Sequence, residues 1–119
     1  MLIKELSRRT GVSVRSIRYY ETKNIINSRR MENGYRDYDD DAIERINTIQ
    51  FYLSLGINTD DIAKIIECPI SIQKDRPLCK AAYELYKTKL NEVNKQLAIL
   101  QTVQLRLRER IREFERQDY

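Results

Sequence analysis

The sequence predicts an all-α fold with one small two-stranded β wing: a helical head followed by a single long helix. Three observations predict it. Only 3 Gly and 2 Pro occur among 119 residues, too few turn formers for a β sandwich or barrel, or for a disordered Pro/Gly-rich chain. Apolar residues recur at helical spacing in blocks separated by Gly, Asn or Pro, and from Leu78 onward neither Gly nor Pro occurs. Asn33-Gly34, between two short stretches with apolar and aromatic residues, is a strong hairpin-turn signal.

The first 23 residues read as two short helices around a turn. Ile3 and Leu6 share one helical face, and Gly11 breaks the pattern because it tolerates a left-handed backbone. Ser13 is placed to cap the second helix, which runs through Val14 to Glu21. Ile17 and one of the two tyrosines, Tyr19 or Tyr20, are expected inward, with Arg15, Ser16, Arg18 and Tyr19 left to face outward. Two helices joined by a Gly-containing turn, with Arg and Tyr on the second, make a helix-turn-helix candidate. Ile25-Ile26 is expected to pair with Tyr35-Arg36-Asp37-Tyr38 across the Asn-Gly turn, giving a wing that offers Arg29, Arg30, Arg36 and two tyrosines.

Asp39-Asp40-Asp41 suits a helix N-terminus, where negative charge meets the positive end of the dipole. The helix that follows carries Ile43, Ile46, Ile49, Phe51 and Leu53 and ends at Gly56. Asn58 caps a further short helix through Ile66, which Cys68-Pro69 stops. Its acidic face is suited to packing rather than to phosphate. The expected organisation is a head over residues 1–68, a loop at 69–77, a long helix at 78–116 and a tail at 117–119.

The long helix shows a 4,3 spacing: Cys79, Tyr83, Tyr86, Leu90, Val93, Leu97, Leu100, Gln104, Leu107, Ile111, Phe114. About five heptads of this pattern form a coiled-coil seam. A helix roughly 55 Å long, at ~1.5 Å per residue, cannot bury that stripe against so small a head. It needs a partner, and a second copy is the simplest. Gln104 either sets register within the seam or sits at a solvated point. Tyr83 and Tyr86 suit packing better than a ligand pocket.

Composition narrows the function. There is no His, which removes the usual general base and the commonest metal ligand. No Gly-rich phosphate loop or nucleophile-base arrangement is present, so catalysis is not expected. With 34% charged residues and a mean hydropathy of −0.65, no membrane span or signal peptide is expected. The net charge of +4 is unevenly spread. Residues 1–38 hold nine Lys/Arg against four Asp/Glu, residues 39–75 three against eight, and residues 76–119 ten against six. A basic head followed by an acidic middle fits a surface that meets nucleic acid at one end.

The sequence resembles the MerR-type transcription factors, the family of the mercury-resistance regulator. The resemblance is carried by Ile3-Lys4-Glu5-Leu6, by Thr10 to Glu21, by Arg30, by Asn33-Gly34-Tyr35-Arg36-Asp37-Tyr38 and by Leu55-Gly56, with the long helix agreeing in position and length. It implies a winged helix-turn-helix head and an antiparallel coiled-coil homodimer. It further implies a cytoplasmic bacterial regulator of double-stranded promoter DNA, one that bends and untwists a pseudo-palindromic spacer for RNA polymerase. By resemblance, Ser13, Arg15, Ser16, Arg18, Tyr19 and Tyr20 belong to the recognition helix. Tyr35, Arg36 and Tyr38 belong to the wing, and Arg30 matches a basic position near phosphate. Dimerisation falls to Tyr83, Tyr86, Leu90, Val93, Leu97, Leu100, Leu107, Ile111 and Phe114. Arg8 and Arg9 have no motif support and read as plain surface.

The sensing chemistry is less determined. In this sequence no cysteine follows the long helix or stands just before Gly56, and no large ligand domain is expected. The two cysteines, Cys68 and Cys79, are expected as reduced, buried packing residues. A thiol-based redox or electrophile sensor is the alternative, followed by a soft-metal site. No cofactor or metal is assigned. A coiled-coil interaction module whose head docks a protein partner is the other competing function, but it leaves the basic wing unexplained.

Overall fold

The computed structural model describes residues 1–67 and 79–117. In chain order the elements are α1 (Ile3–Thr10), α2 (Val14–Thr22), β1 (Arg29–Arg30), β2 (Arg36–Asp37), α3 (Asp41–Ser54), α4 (Thr59–Ile65) and α5 (Lys80–Gln117). The chain divides into two compact units, Met1–Leu85 and Tyr86–Tyr119. The expected linker at 69–77 and Cys68 lie outside the described residues.

In the first unit, α1 packs on α2 and α3, and α3 packs on α4. The core is formed by Leu6 from α1, Ile17 and Tyr20 from α2, Ile46, Ile49 and Tyr52 from α3, and Ile62 and Ile65 from α4. Ile25, Ile26, Tyr38 and Ile57 fill it from the connections. Among the described residues no charged side chain is fully buried, as expected where desolvation of an ion is costly.

Several helix ends have a local cause. Gly11 closes α1 at φ 73° and its N–H donates to Ser7 O at 2.9 Å. The Ser13 hydroxyl accepts the Ser16 N–H at 3.1 Å, satisfying one of the orphan donors at the start of α2. Asn24 stands at φ 60° and ends α2. Its N–H donates to Glu21 O at 3.0 Å and that of Ile25 to Tyr20 O at 3.1 Å, the paired bonds of a Schellman closure. The same pairing closes α3, with Gly56 N–H on Leu53 O and Ile57 N–H on Tyr52 O. The Asn58 side chain caps α4 by accepting the Asp61 N–H at 2.9 Å.

The wing corrects one expectation. Its strands are β1 and β2, paired antiparallel as Arg29 with Asp37 and Arg30 with Arg36. Ile25 and Ile26 are not a strand but core. The left-handed Asn24 turns the chain at the end of α2, and that turn delivers both isoleucines inward.

The second unit is most of α5, which carries no Gly or Pro. Its described residues from Leu90 onward are exposed on every side. Among the described residues, no helix is long and apolar enough to cross a membrane.

Candidate nucleic-acid interface

The outer face of α2 follows from its helical period. Ile17 and Tyr20, three apart, turn into the core, which leaves Arg15, Arg18 and Tyr19 exposed and Ser16 half-buried. Ser13 stands exposed at the cap, and its hydroxyl also donates to Ser16 Oγ at 3.0 Å. Tyr19 keeps 47% of its surface in solvent. Its hydroxyl lies 3.3 Å from Thr59 Oγ1, and the Lys23 ammonium sits 5.7 Å from its ring centroid. Lys23 also reaches Asp60 Oδ1 at 3.1 Å, and that bond raises its pKa. Tyr19 and Lys23 thereby tie α2 to the start of α4.

The wing presents its basic residues beside that face. Gly34, at φ 86°, makes the turn between β1 and β2, and Met31 N–H donates to Tyr35 O at 2.8 Å. Arg30 and Tyr35 are exposed and Arg36 is half-buried. Arg18, Arg30, Tyr35 and Arg36, with Ile3 and Gly34, line an open groove of about 380 Å³. One arginine of α2 and two of the wing thus line one groove. An anionic ligand such as a phosphate backbone matches it, because each fork offers several N–H donors.

Two expected contact residues are placed elsewhere. Tyr20 is 5% exposed, and its hydroxyl accepts from Gln50 Nε2 at 2.9 Å. Tyr38 is 1% exposed. Both rings belong to the core, so neither can reach a ligand on the outer face. Tyr38 instead donates from its hydroxyl to Glu21 Oε1. Burial, reinforced by the Glu21 carboxylate, pushes the Tyr38 pKa up to about 12.

Glu21 is the residue that sequence reasoning passed over. Its other oxygen, Oε2, pairs with Arg36 Nη1 at 3.1 Å. One carboxylate at the end of α2 therefore holds both a core tyrosine and a groove arginine of the wing. The available signal was its place at the end of the Tyr19-Tyr20-Glu21 run, but spacing alone does not show which arginine a carboxylate meets. Arg8 and Arg9 lie outside the groove. Both bond to Glu5, at 2.5 and 2.9 Å, and hold its carboxyl at about 2.

On α5, Leu90, Val93, Leu97, Leu100, Leu107, Ile111 and Phe114 all stand exposed in the single chain, as does Tyr83, while Tyr86 is half-buried. Ile99, Val103 and Leu105 add exposed apolar surface off the seam. A row of this length in water is a surface that needs covering.

Cys79 departs from the expectation of a reduced thiol at that position. It is disulfide-bonded. That expectation rested on the redox compartment, which does not decide whether geometry permits the bond.

The family model described as MerR HTH family regulatory protein matches residues 1–67. The chain belongs to the MerR family. It is 28% identical over 103 residues to the mercuric resistance operon regulatory protein of Bacillus cereus, covering 86% of this chain and 76% of that protein. It is also 28% identical over 103 residues to the transcriptional regulator ZntR of Escherichia coli K12, covering 86% and 72%. Among solved structures, the N-terminal part of the Bacillus subtilis multidrug transporter activator, MtaN, superposes with a TM-score of 0.66 at 27% identity. That match covers 90% of this chain and 97% of MtaN. The matched segment holds α1, α2, the wing, α3 and α4, so the arginine groove lies wholly within the MerR-family head.

Proposed function

We propose that this MerR-family regulator binds double-stranded promoter DNA as a homodimer, with α2 in the major groove and the wing on the sugar-phosphate backbone. The observation that carries this is the groove formed by Arg18, Arg30, Tyr35 and Arg36. Arg18, from the recognition helix, supplies a fork that matches guanine edges or phosphate. Arg30 and Arg36 meet phosphates, and the Tyr35 hydroxyl adds a contact that fixes register without reading sequence. Arg15, Ser16 and Tyr19 complete the outward face of α2, while Ser13 holds its first turn.

The exposed apolar row on α5 supports the dimer, a second copy laid antiparallel covering the seam. Two heads related by a twofold axis read two half-sites of a pseudo-palindrome. Distortion of the DNA between them gives specificity at steps that no side chain touches. RNA polymerase at the same promoter is the further partner, and the cytoplasm is where such a regulator meets DNA. The role is regulatory rather than catalytic. Residues 1–68 act as the DNA-binding part, 69–77 as the linker and 78–116 as the dimerisation helix.

If each copy neutralises phosphates through Arg18, Arg30 and Arg36, a dimer releases about six counterions and the log–log salt slope is about −5. Arg18→Ala weakens operator binding by about 1–3 kcal/mol and flattens that slope. Fluorescence anisotropy across a salt series checks both, with sedimentation confirming an intact dimer. Unchanged operator affinity for a folded Arg18→Ala dimer removes that residue from the interface.

A further inference from the structure

We propose that Glu21 is a positioning residue for DNA binding: its carboxylate fixes Arg36 in the groove so that the guanidinium meets a phosphate preorganised. This rests on the DNA-binding function proposed above. The geometry is a relay. Tyr38, buried in the core, donates to Glu21 Oε1, and Glu21 Oε2 takes Arg36 Nη1 at 3.1 Å. The Glu21 side chain is 13% exposed and that of Arg36 is 35% exposed. The carboxylate is thus held from the core side, and the arginine reaches the groove from the other. An arginine has five N–H donors, so a bond through Nη1 leaves others for a phosphate. Fixing the fork beforehand removes the rotamer entropy that a free arginine loses on binding.

Positioning by Glu21 and simple electrostatics have effects of opposite sign. Glu21 is a negative charge beside a phosphate-binding groove. If it did nothing but repel the backbone, neutralising it would tighten binding. If it positions Arg36, neutralising it weakens binding despite the gain in net positive charge. Glu21→Gln separates the two. The amide oxygen still accepts from Tyr38, but the ion pair with Arg36 is gone.

The test uses the full chain and a mixed-sequence DNA duplex at low salt, since wing contacts to phosphate do not depend on sequence. The expected result is about tenfold weaker binding for Glu21→Gln with the salt slope kept, because Arg36 retains its charge and still neutralises a phosphate once bound. In an Arg36→Ala background, Glu21→Gln has no further effect. Tyr38→Phe leaves the charge in place and removes only its anchor, so it also weakens binding. It serves as the second variant if Glu21→Gln fails to fold by circular dichroism. Equal or tighter binding by a folded Glu21→Gln protein overturns the positioning role, as does a full effect of Glu21→Gln without Arg36. Absence of salt-dependent binding by the wild-type chain overturns the DNA-binding function itself, a distinct result.

Discussion

Leu100→Ala is the perturbation that weighs the α5 seam most directly. In the single chain Leu100 is 62% exposed, so most of its surface remains to be buried by a second copy. Truncation to Ala removes three carbons, worth about 0.8 kcal/mol each when fully buried. Scaled by that exposure, the loss is about 1.5 kcal/mol per copy, and about 3 kcal/mol per dimer because both copies carry the change. Dimerisation should weaken about 150-fold, since about 1.4 kcal/mol is tenfold. Ala is at least as good a helix former as Leu, so the helix itself is not weakened. Sedimentation equilibrium gives the dimer constant, and circular dichroism confirms the helix content. Thr102→Ala is the control. Thr102 stands off the seam and its hydroxyl only donates to Ala98 O at 3.2 Å, so its loss leaves dimerisation unchanged. A Leu100→Ala constant within threefold of the wild type refutes the seam as the dimer contact.

Two further predictions concern the head. Gly11→Ala costs about 1–2 kcal/mol of stability, because φ 73° is strained for any residue with a Cβ, although no atom lies within 4 Å of where that Cβ would be; denaturant unfolding measures it, and an unchanged midpoint contradicts it. Tyr38 ionises later in the folded protein than in the unfolded chain, so the stability it contributes is full below pH about 10 and is lost as pH rises towards about 12. Phenolate absorbance should show a late-ionising contribution that Tyr38→Phe removes; an unchanged titration curve in that variant contradicts the assignment.

Much of the head was legible from local chemistry. Gly11, Ser13, Gly56 and Asn58 stand at helix ends where left-handed freedom or a side-chain cap is needed, and each marks an element the structure contains. The outward set of α2 followed from its period once Ile17 was placed inside. The period could not decide between Tyr19 and Tyr20, because neighbours on a helix are about 100° apart and the edge of the buried face falls between them. Ile25-Ile26 read as a strand because an apolar β-branched pair before a hairpin signal fits one. The left-handed Asn24 that turns it into the core carries no signal as plain as a glycine. Tyr38 was misplaced because a strand of two residues is too short for alternation to fix which side chains face inward. The Glu21–Arg36 pair joins a helix to a strand fifteen positions later, and the Cys79 bond likewise depends on three-dimensional proximity that spacing does not report.

The central claim is that the arginine groove of a dimer meets promoter DNA. Selection of genomic fragments from the source organism by the purified dimer, with sequencing of what is retained, tests it most directly. The expected result is enrichment of one inverted repeat within a promoter spacer, released steeply as salt rises and depleted when Arg18 is replaced by Ala. A folded dimer that retains no fragment above bulk DNA at moderate salt contradicts it.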